Sequence, residues 1–395
     1  MTVAGIVAEY NPLHNGHAFL MRQMRESGAD LIAVVMSGNF VQRGEPAILS
    51  KWARTQQALY CGADLVVELP LPWAVAGAER FALGGVSVLT ALGVDVIGFG
   101  SECGDINRLN EARLALSSPR LHDTMQASLQ KGATFAAARQ QAVESLFGKE
   151  TSLLLREPNN ILGVEYLKAI DCIDSSVKPF TMKRAETFRQ KDGPAGKAAA
   201  SSVIRAMIAK SEDFSEYVPK PSYQITEDEI RNGRAPASIS FLDRSVLSSL
   251  RRMDREALSR LPDISEGLEN RIFEAIQKAG SLPELFQLIK TKRYPMARIR
   301  RIVLAAFLGM EASDSAGTPP YLRVLGIGKN GADILRRAKQ KSELPLISRY
   351  SEANCLKGQA QKTMELENRA ADLYALCMPH AGPCGTDRAT KLIVI

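Results

Sequence analysis

The 395 residues exceed what one ordinary core organises, so two or three domains are expected. With 45% hydrophobic and 24% charged residues the chain has a soluble globular balance, and no apolar run reaches the roughly 18 residues that cross a bilayer. The net charge is +7, yet acids and bases cancel over residues 1–200, leaving a neutral half suited to chemistry and a basic half suited to a polyanion.

In chain order, the first 105 residues alternate between apolar runs and helical stretches. TVAGIVAEY (2–10), DLIAVVMSG (30–38), DLVVELP (64–70) and DVIGFGSE (95–102) are apolar throughout, the pattern of strands covered on both faces. Between them HAFLMRQMRESGA (17–29), KWARTQQALYCGA (51–63) and GAERFALGGVSVLTALGV (77–94) have helical spacing. This succession predicts βαβ units and an α/β fold with a doubly wound parallel sheet. Residues 106–156 read as alanine-rich helix, an insertion or lid. EPNNILGVEYLKAI (157–170) is a further helix, VKPFTMKRA (177–185) a late strand, and GPAGKAAASSVIRAMIAK (193–210) a Gly-containing loop entering a helix.

The polar, proline-bearing stretch SEDFSEYVPKPSYQ (211–224) marks a boundary. Residues 1–215 are therefore expected to form the α/β domain and residues 216–395 a mainly helical, basic one. In the latter, FLDRSVLSSLRRM (241–253), LENRIFEAIQKAG (268–280), SLPELFQLIKT (281–291) and ARIRRIVLAAFLGM (297–310) read as helices, and 321–349 resumes mixed character. Cys61, Cys103, Cys172, Cys355, Cys377 and Cys384 contain no CxxC pair, which argues against a zinc ribbon or a disulfide framework. With no signal-type opening, a cytoplasmic protein with reduced thiols is expected.

The stretch GIVAEYNPLHNGH (5–17) runs from a strand end through a turn into a helix start. That is where ligands sit on a doubly wound sheet and where helix amides point outward. His14 and His17, at i and i+3, share one face, and Gly16 removes a side chain where a phosphate would approach the backbone. Two imidazoles there can donate to phosphate oxygens. The same spacing alone serves equally to cap a helix or bind a metal.

Tyr10, Pro12, Gly16 and the position after the first strand favour the phosphate reading. With His14 and His17 they resemble the G-x-F-x-P-x-H-x-G-H signature of the HIGH-motif nucleotidyltransferase superfamily. Glu9 departs from the small residue usual before the aromatic, suggesting a branch outside the ordinary cofactor adenylyltransferases. Ala200-Ser201-Ser202-Val203-Ile204-Arg205 resembles the superfamily's second signature, I-S-S-S-x-I-R. Alone, its serines would be helix caps; beside the first motif, phosphate contact is favoured, with Arg205 as a bidentate anchor.

Longer runs are more specific: VMSGNFVQRGEPA (35–47), GADLVVELP (62–70), GVDVIGFGSE (93–102), EPNNILGVEYLKAI (157–170) and KTKRYPMARIRR (290–301). Together they resemble the bacterial tRNA(Met) cytidine acetate ligase family over nearly the full chain, the last ten or so residues excepted. The resemblance implies a ligase with a nucleotidyltransferase-like ATP-binding domain and a basic tRNA-binding one. It would activate acetate as acetyl-adenylate with release of pyrophosphate. It would then acetylate the wobble cytidine of elongator tRNA(Met) to N4-acetylcytidine.

It also implies His14, His17 and Arg205 as catalytic residues. The implied ATP contacts are Val7, Ala8, Glu9, Tyr10, Asn11, Pro12, Leu13, His14, Asn15, Gly16, His17, Ala18, Phe19 and Leu20, with Gly100, Asn160, Arg184 and Ser201. On the residues alone, Asn160 could equally be a helix cap and Arg184 a surface charge. Ser37, Asn39 and Arg43, in the loop after the second strand, are candidates for holding acetate or cytidine, against a plain turn. Lys51 and Arg54 are candidates for facing the triphosphate, against solvated surface charges.

Lys290, Lys292, Arg293, Arg298, Arg300 and Arg301, with Tyr294 interleaved, form a stripe able to meet RNA phosphates and stack a base. Arg336, Arg337, Lys339 and Lys341 form a second basic cluster. Mg2+ is expected with ATP, carried by phosphate oxygens, with no protein ligands for it evident. Two other readings stand beside the ligase: a small-molecule cofactor adenylyltransferase, and a non-catalytic nucleotide-sensing RNA-binding protein.

Overall fold

The structure is a computed structural model that describes residues 1–130, 135–173, 176–184, 199–265 and 267–395. The Gly-containing loop expected from 193 lies outside the described residues as far as 198. The strands are β1 (Val3–Ala8), β2 (Leu31–Ser37), β3 (Phe40–Val41), β4 (Glu45–Pro46), β5 (Leu65–Leu69), β6 (Val96–Ser101), β7 (Lys178–Lys183), β8 (Leu322–Ile327), β9 (Leu346–Ile347) and β10 (Ile393–Val394). All five strands expected from the apolar runs are present.

Strands β5, β2, β1, β6 and β7 lie side by side in that order, all parallel. Apolar side chains on successive positions suit this burial on both faces: every residue of β2 and β5 is buried. From β1 the chain winds outward through β2 to β5 on one side, and through β6 to β7 on the other. The order therefore reverses between β1 and β6, and a crevice opens beyond their C-terminal ends.

The sheet is not purely parallel, and it does not end with the first half of the chain. β8 joins β5 antiparallel, and β9 and β10 pair parallel to β8. A boundary at residue 215 thus cuts across one eight-stranded sheet, with the mixed segment near the end supplying its outer strands. Helices between 243 and 308 form a second core around Leu250, Ile272, Leu285, Ile299 and Ile302. In Leu268–Lys278 the buried residues Leu268, Ile272, Ala275 and Ile276 make one stripe, as helical periodicity requires. This core also takes Phe40 and Leu71 from the first half and Tyr374 from the helix Gly358–Ala375. In the stretch 106–156, read as an insertion or lid, the described residues Leu109, Ala112, Leu121 and Val143 are buried in the main core.

A closed ionic ring stitches the two halves. Lys51 Nζ lies 2.6 Å from Glu68 Oε1 on β5 and 2.9 Å from Asp387 Oδ1. Arg323 of β8 completes the ring at 3.3 Å from Glu68 Oε2 and 2.7 Å from Asp387 Oδ2. All four side chains are buried, so Lys51 does not face a triphosphate. Arg54 does not either. Its buried guanidinium donates to the carbonyls of Leu49, Glu9, Ser37 and Gly38, tying the ends of β1 and β2. The final residues, unmatched in sequence, supply Asp387 and β10.

Candidate active site

Beyond the β1/β6 crevice lies a cleft of about 590 Å³, within the size range of small-ligand sites. Its floor is the end of β1 (Val7, Ala8) and the bare backbone of Gly98 and Gly100. A Cβ on Gly100 would meet Arg184 Cγ at 3.1 Å, so glycine there lets the Arg184 side chain lie along the floor. Phe81, Phe99, Leu162 and Tyr166 add apolar wall, and Ser201, Ser202 and Arg205 close the opposite rim.

The two histidines are held more tightly than one-face spacing requires. His14 is the N-cap of the helix Asn15–Glu26, its Nδ1 accepting from Gly16 N at 3.1 Å. His17 Nδ1 accepts in turn from His14 N at 3.3 Å. The rings stack with centroids 3.7 Å apart, and Tyr10 packs its edge on His17 at 5.0 Å. Because each Nδ1 accepts a backbone N–H, each neutral ring carries its proton on Nε2, leaving that atom as a donor. Tyr10 reaches this place with φ +48°, a left-handed backbone that a buried side chain must hold in position.

Burial lowers the His14 pKa to about 4, with Arg184 adding to the effect. Burial, His14 and Arg184 push His17 down as well. The pair therefore offers neutral donors, not imidazolium charges, throughout the physiological range. ATP affinity is expected to stay flat from pH 6 to pH 8, checked by calorimetry. An affinity falling through the usual histidine range, about 6.5, would mean charged rings bind the phosphates.

The amides at this helix start are not free: Gly16 N bonds His14 Nδ1, while His17 N and Ala18 N bond the His14 carbonyl. The helix Ser201–Ala209 is the better anion site, since its N-cap Ala200 supplies no side-chain hydrogen bond and Ser201 and Ser202 line the cleft. Arg205 Nη1 donates to the Asn11 carbonyl at 2.8 Å, which docks this helix against the opening motif.

Of the expected ATP contacts, Val7, Ala8, Glu9, Tyr10, Asn11, His14, His17, Leu20, Gly100, Arg184 and Ser201 line the cleft. Pro12, Leu13, Asn15, Gly16, Ala18 and Phe19 stand behind it, where Leu13 O accepts from Ser222 Oγ and Asn15 Nδ2 donates to Glu216 O. Asn160 is scaffold: its Oδ1 accepts from Cys103 N at 3.0 Å and its Nδ2 donates to Leu154 O. Its neighbour Asn159 lines the cleft, held by Glu102. Arg43 faces the cleft; Ser37 and Asn39 do not. Ser37 is fully buried, and Asn39 Oδ1 accepts from Lys51 N.

The basic stripe divides too. Lys290, Lys292 and Arg293 are exposed, but Tyr294 is buried and cannot stack an open base. Arg298 donates to the Asp263 carbonyl, Arg300 pairs with Glu45, and Arg301 lies 2.7 Å from Asp263 Oδ2 while lining the cleft with Ala297. Arg300 and Arg301 hold the β3–β4 hairpin, through Glu45 and the Gln42 carbonyl, and a Cβ on Gly44, at φ +74°, would collide with the Arg301 amide. In the second cluster, Arg337 pairs with Asp95 and Arg336 with Asp333. Gln42 and Asn159 line the cleft without having been singled out in the sequence, and Arg301, expected to meet RNA, lines it as well. For Arg301 a signal existed, in the absence of any acid from its own stripe.

The model of the HIGH Nucleotidyl Transferase family matches residues 1–387. The tRNA(Met) cytidine acetate ligase of Acetivibrio thermocellus is 38% identical over 395 residues, covering 95% of each chain. That of Thermoanaerobacter sp. strain X514 is 38% identical over the whole of both chains. The crystal structure of Thermotoga maritima TmcAL bound with alpha-thio ATP superposes with a TM-score of 0.91 at 31% identity, covering all of both chains. The chain belongs to the HIGH nucleotidyltransferase family and, within it, to the tRNA(Met) cytidine acetate ligases.

Proposed function

We propose that this member of the tRNA(Met) cytidine acetate ligase family activates acetate with ATP and acetylates the wobble cytidine of elongator tRNA(Met). The observation that carries this reading is the stacked His14–His17 pair, its Nε2 protons free for phosphate oxygens in a cleft that also presents Arg43, Arg184, Arg205 and Arg301. Acetate attacks the α-phosphorus, pyrophosphate leaves, and charge grows on the equatorial oxygens. Preorganised neutral donors and guanidiniums stabilise that charge without reorganising. The cytidine amine then attacks the acetyl carbonyl and AMP departs.

The adenosine is accommodated by the bare glycine floor and the Phe81–Tyr166 wall, and the triphosphate by Ser201, Ser202 and Arg205. Among the described residues no group of three His, Cys, Asp or Glu side chains could hold a metal. Mg2+ is proposed to arrive on the phosphate oxygens of ATP. The basic helical body is the proposed tRNA platform, with exposed Lys290, Lys292 and Arg293 on it, Arg298 held by the Asp263 carbonyl and Arg300 serving the hairpin instead. Arg301 belongs to the cleft, so its loss is proposed to impair adenylation as well as tRNA use. The test is incubation of the protein with ATP, labelled acetate and tRNA(Met), followed by nucleoside analysis. Labelled N4-acetylcytidine is expected. Its absence, with pyrophosphate released only when a phosphomonoester is added, would identify a cofactor adenylyltransferase.

A further inference from the structure

Among the described residues lining the cleft, Glu9 is the one acid. A carboxylate in a site built for a polyanion weakens anion binding, so its presence calls for a chemical reason. Its Oε1 accepts from Gln42 N at 2.9 Å, a contact that a neutral amide would serve equally. Among the described residues no ion pair holds the group, and the Arg54 guanidinium beside it is engaged by backbone carbonyls, that of Glu9 included. Glu9 is also the residue at which the opening motif departs from the small side chain usual before the aromatic.

The transfer reaction creates a need that the other described residues of the cleft do not meet. When the cytidine N4 amine bonds to the acetyl carbon it becomes cationic and must lose a proton. His14 and His17 have no lone pair to offer, since Nδ1 of each accepts a backbone N–H and Nε2 carries hydrogen. Tyr10 and Tyr166 are weak acids pushed further up by burial, and guanidiniums do not accept protons.

We propose that Glu9 is the general base of acetyl transfer: its carboxylate accepts a hydrogen bond from the cytidine exocyclic amine and takes that proton as the N–C bond forms and the C–O bond to AMP breaks. A carboxylate is also the side chain that pairs with a cytosine N4 amine, so one group would both orient and deprotonate the nucleophile. The proposal rests on the ligase reading above. Burial raises the Glu9 pKa, with Gln42 N–H, Arg43, Arg205 and Arg54 pulling the other way. Among the described residues the three arginines and Tyr166 are the charged or titratable groups facing it, and the net rise makes it a stronger base.

The experiment compares Glu9→Gln with the unaltered full chain in two half-reactions. Acetate-dependent ATP–pyrophosphate exchange without tRNA serves as the internal reference, and single-turnover transfer to tRNA(Met) is expected to fall about 100-fold further than exchange does. The residual transfer loses the acid limb of its pH profile, and Glu9→Asp recovers part of the rate. Unchanged transfer in Glu9→Gln would overturn the proposal, as would a parallel fall in exchange or a higher Mg2+ requirement. If the unaltered protein gives no acetate-dependent exchange, the ligase reading fails instead, which is a different result.

Discussion

Replacing His14 by Asn is expected to slow acetyl-adenylate formation by about 100- to 1,000-fold while leaving the melting temperature nearly unchanged. Asparagine is a good N-cap, so its side-chain oxygen can accept from Gly16 N as His14 Nδ1 does now. What it lacks is the Nε2 proton at the far side of the ring. The variant therefore separates capping from phosphate contact, the two readings that spacing alone could not distinguish. His14→Ala loses both and is expected to cost about 1 kcal/mol of stability in addition. Stopped-flow pyrophosphate release and a thermal melt check the pair. Equal activity in His14→Asn and the unaltered protein would reduce the histidine to a cap.

The largest stability effect is expected at Lys51. Lys51→Met removes one cation from a buried ring of two cations and two anions, leaving Glu68 and Asp387 with Arg323 alone. Breaking a buried pair from one side costs about 3–5 kcal/mol, read as a shift of the urea midpoint. The pH dependence has a defined sign. Burial alone would raise Asp387, but Lys51 and Arg323 override it and hold the pKa below its usual value. Its contribution is present above the unfolded carboxylate range and is lost as pH falls through the depressed folded value. Without Lys51 that acid-side loss begins at higher pH. Glu367 behaves oppositely. Burial and Glu68 raise its pKa well above normal, so its contribution is present at low pH and lost as pH rises through the folded value.

Much of the fold was legible because parallel strands buried on both faces are written as unbroken apolar runs. β1, β2, β5 and β6 follow such runs, whereas β7, with lysines at both ends, is only partly buried; helices with a single apolar stripe, such as Leu268–Lys278, follow their own period. What was not legible was long-range pairing. Nothing local in YLRVLGI declares that β8 joins β5 antiparallel, because that depends on the edge β5 leaves open and on Arg323 meeting Glu68 and Asp387.

The same distinction runs through the site. His14 and His17 sit where the end of β1 turns into a helix, Ser201 and Arg205 sit in the first turns of another helix, and all reach the cleft. Arg301 belongs to a helix that touches the cleft only because the β3–β4 hairpin packs against it. Charge counting cannot tell such an inward arginine from an exposed one. Lys51 and Arg54 misled for the converse reason: a basic residue at a helix start near the sheet edge can turn inward when carboxylates or carbonyls are waiting there.

The central claim is that the cleft couples acetate to AMP before any tRNA is present, and ATP–pyrophosphate exchange measures that coupling without the second substrate. Exchange should appear on adding acetate, remain without tRNA and collapse in His14→Asn. Exchange that ignores acetate, or that survives intact in the variant, would contradict the account.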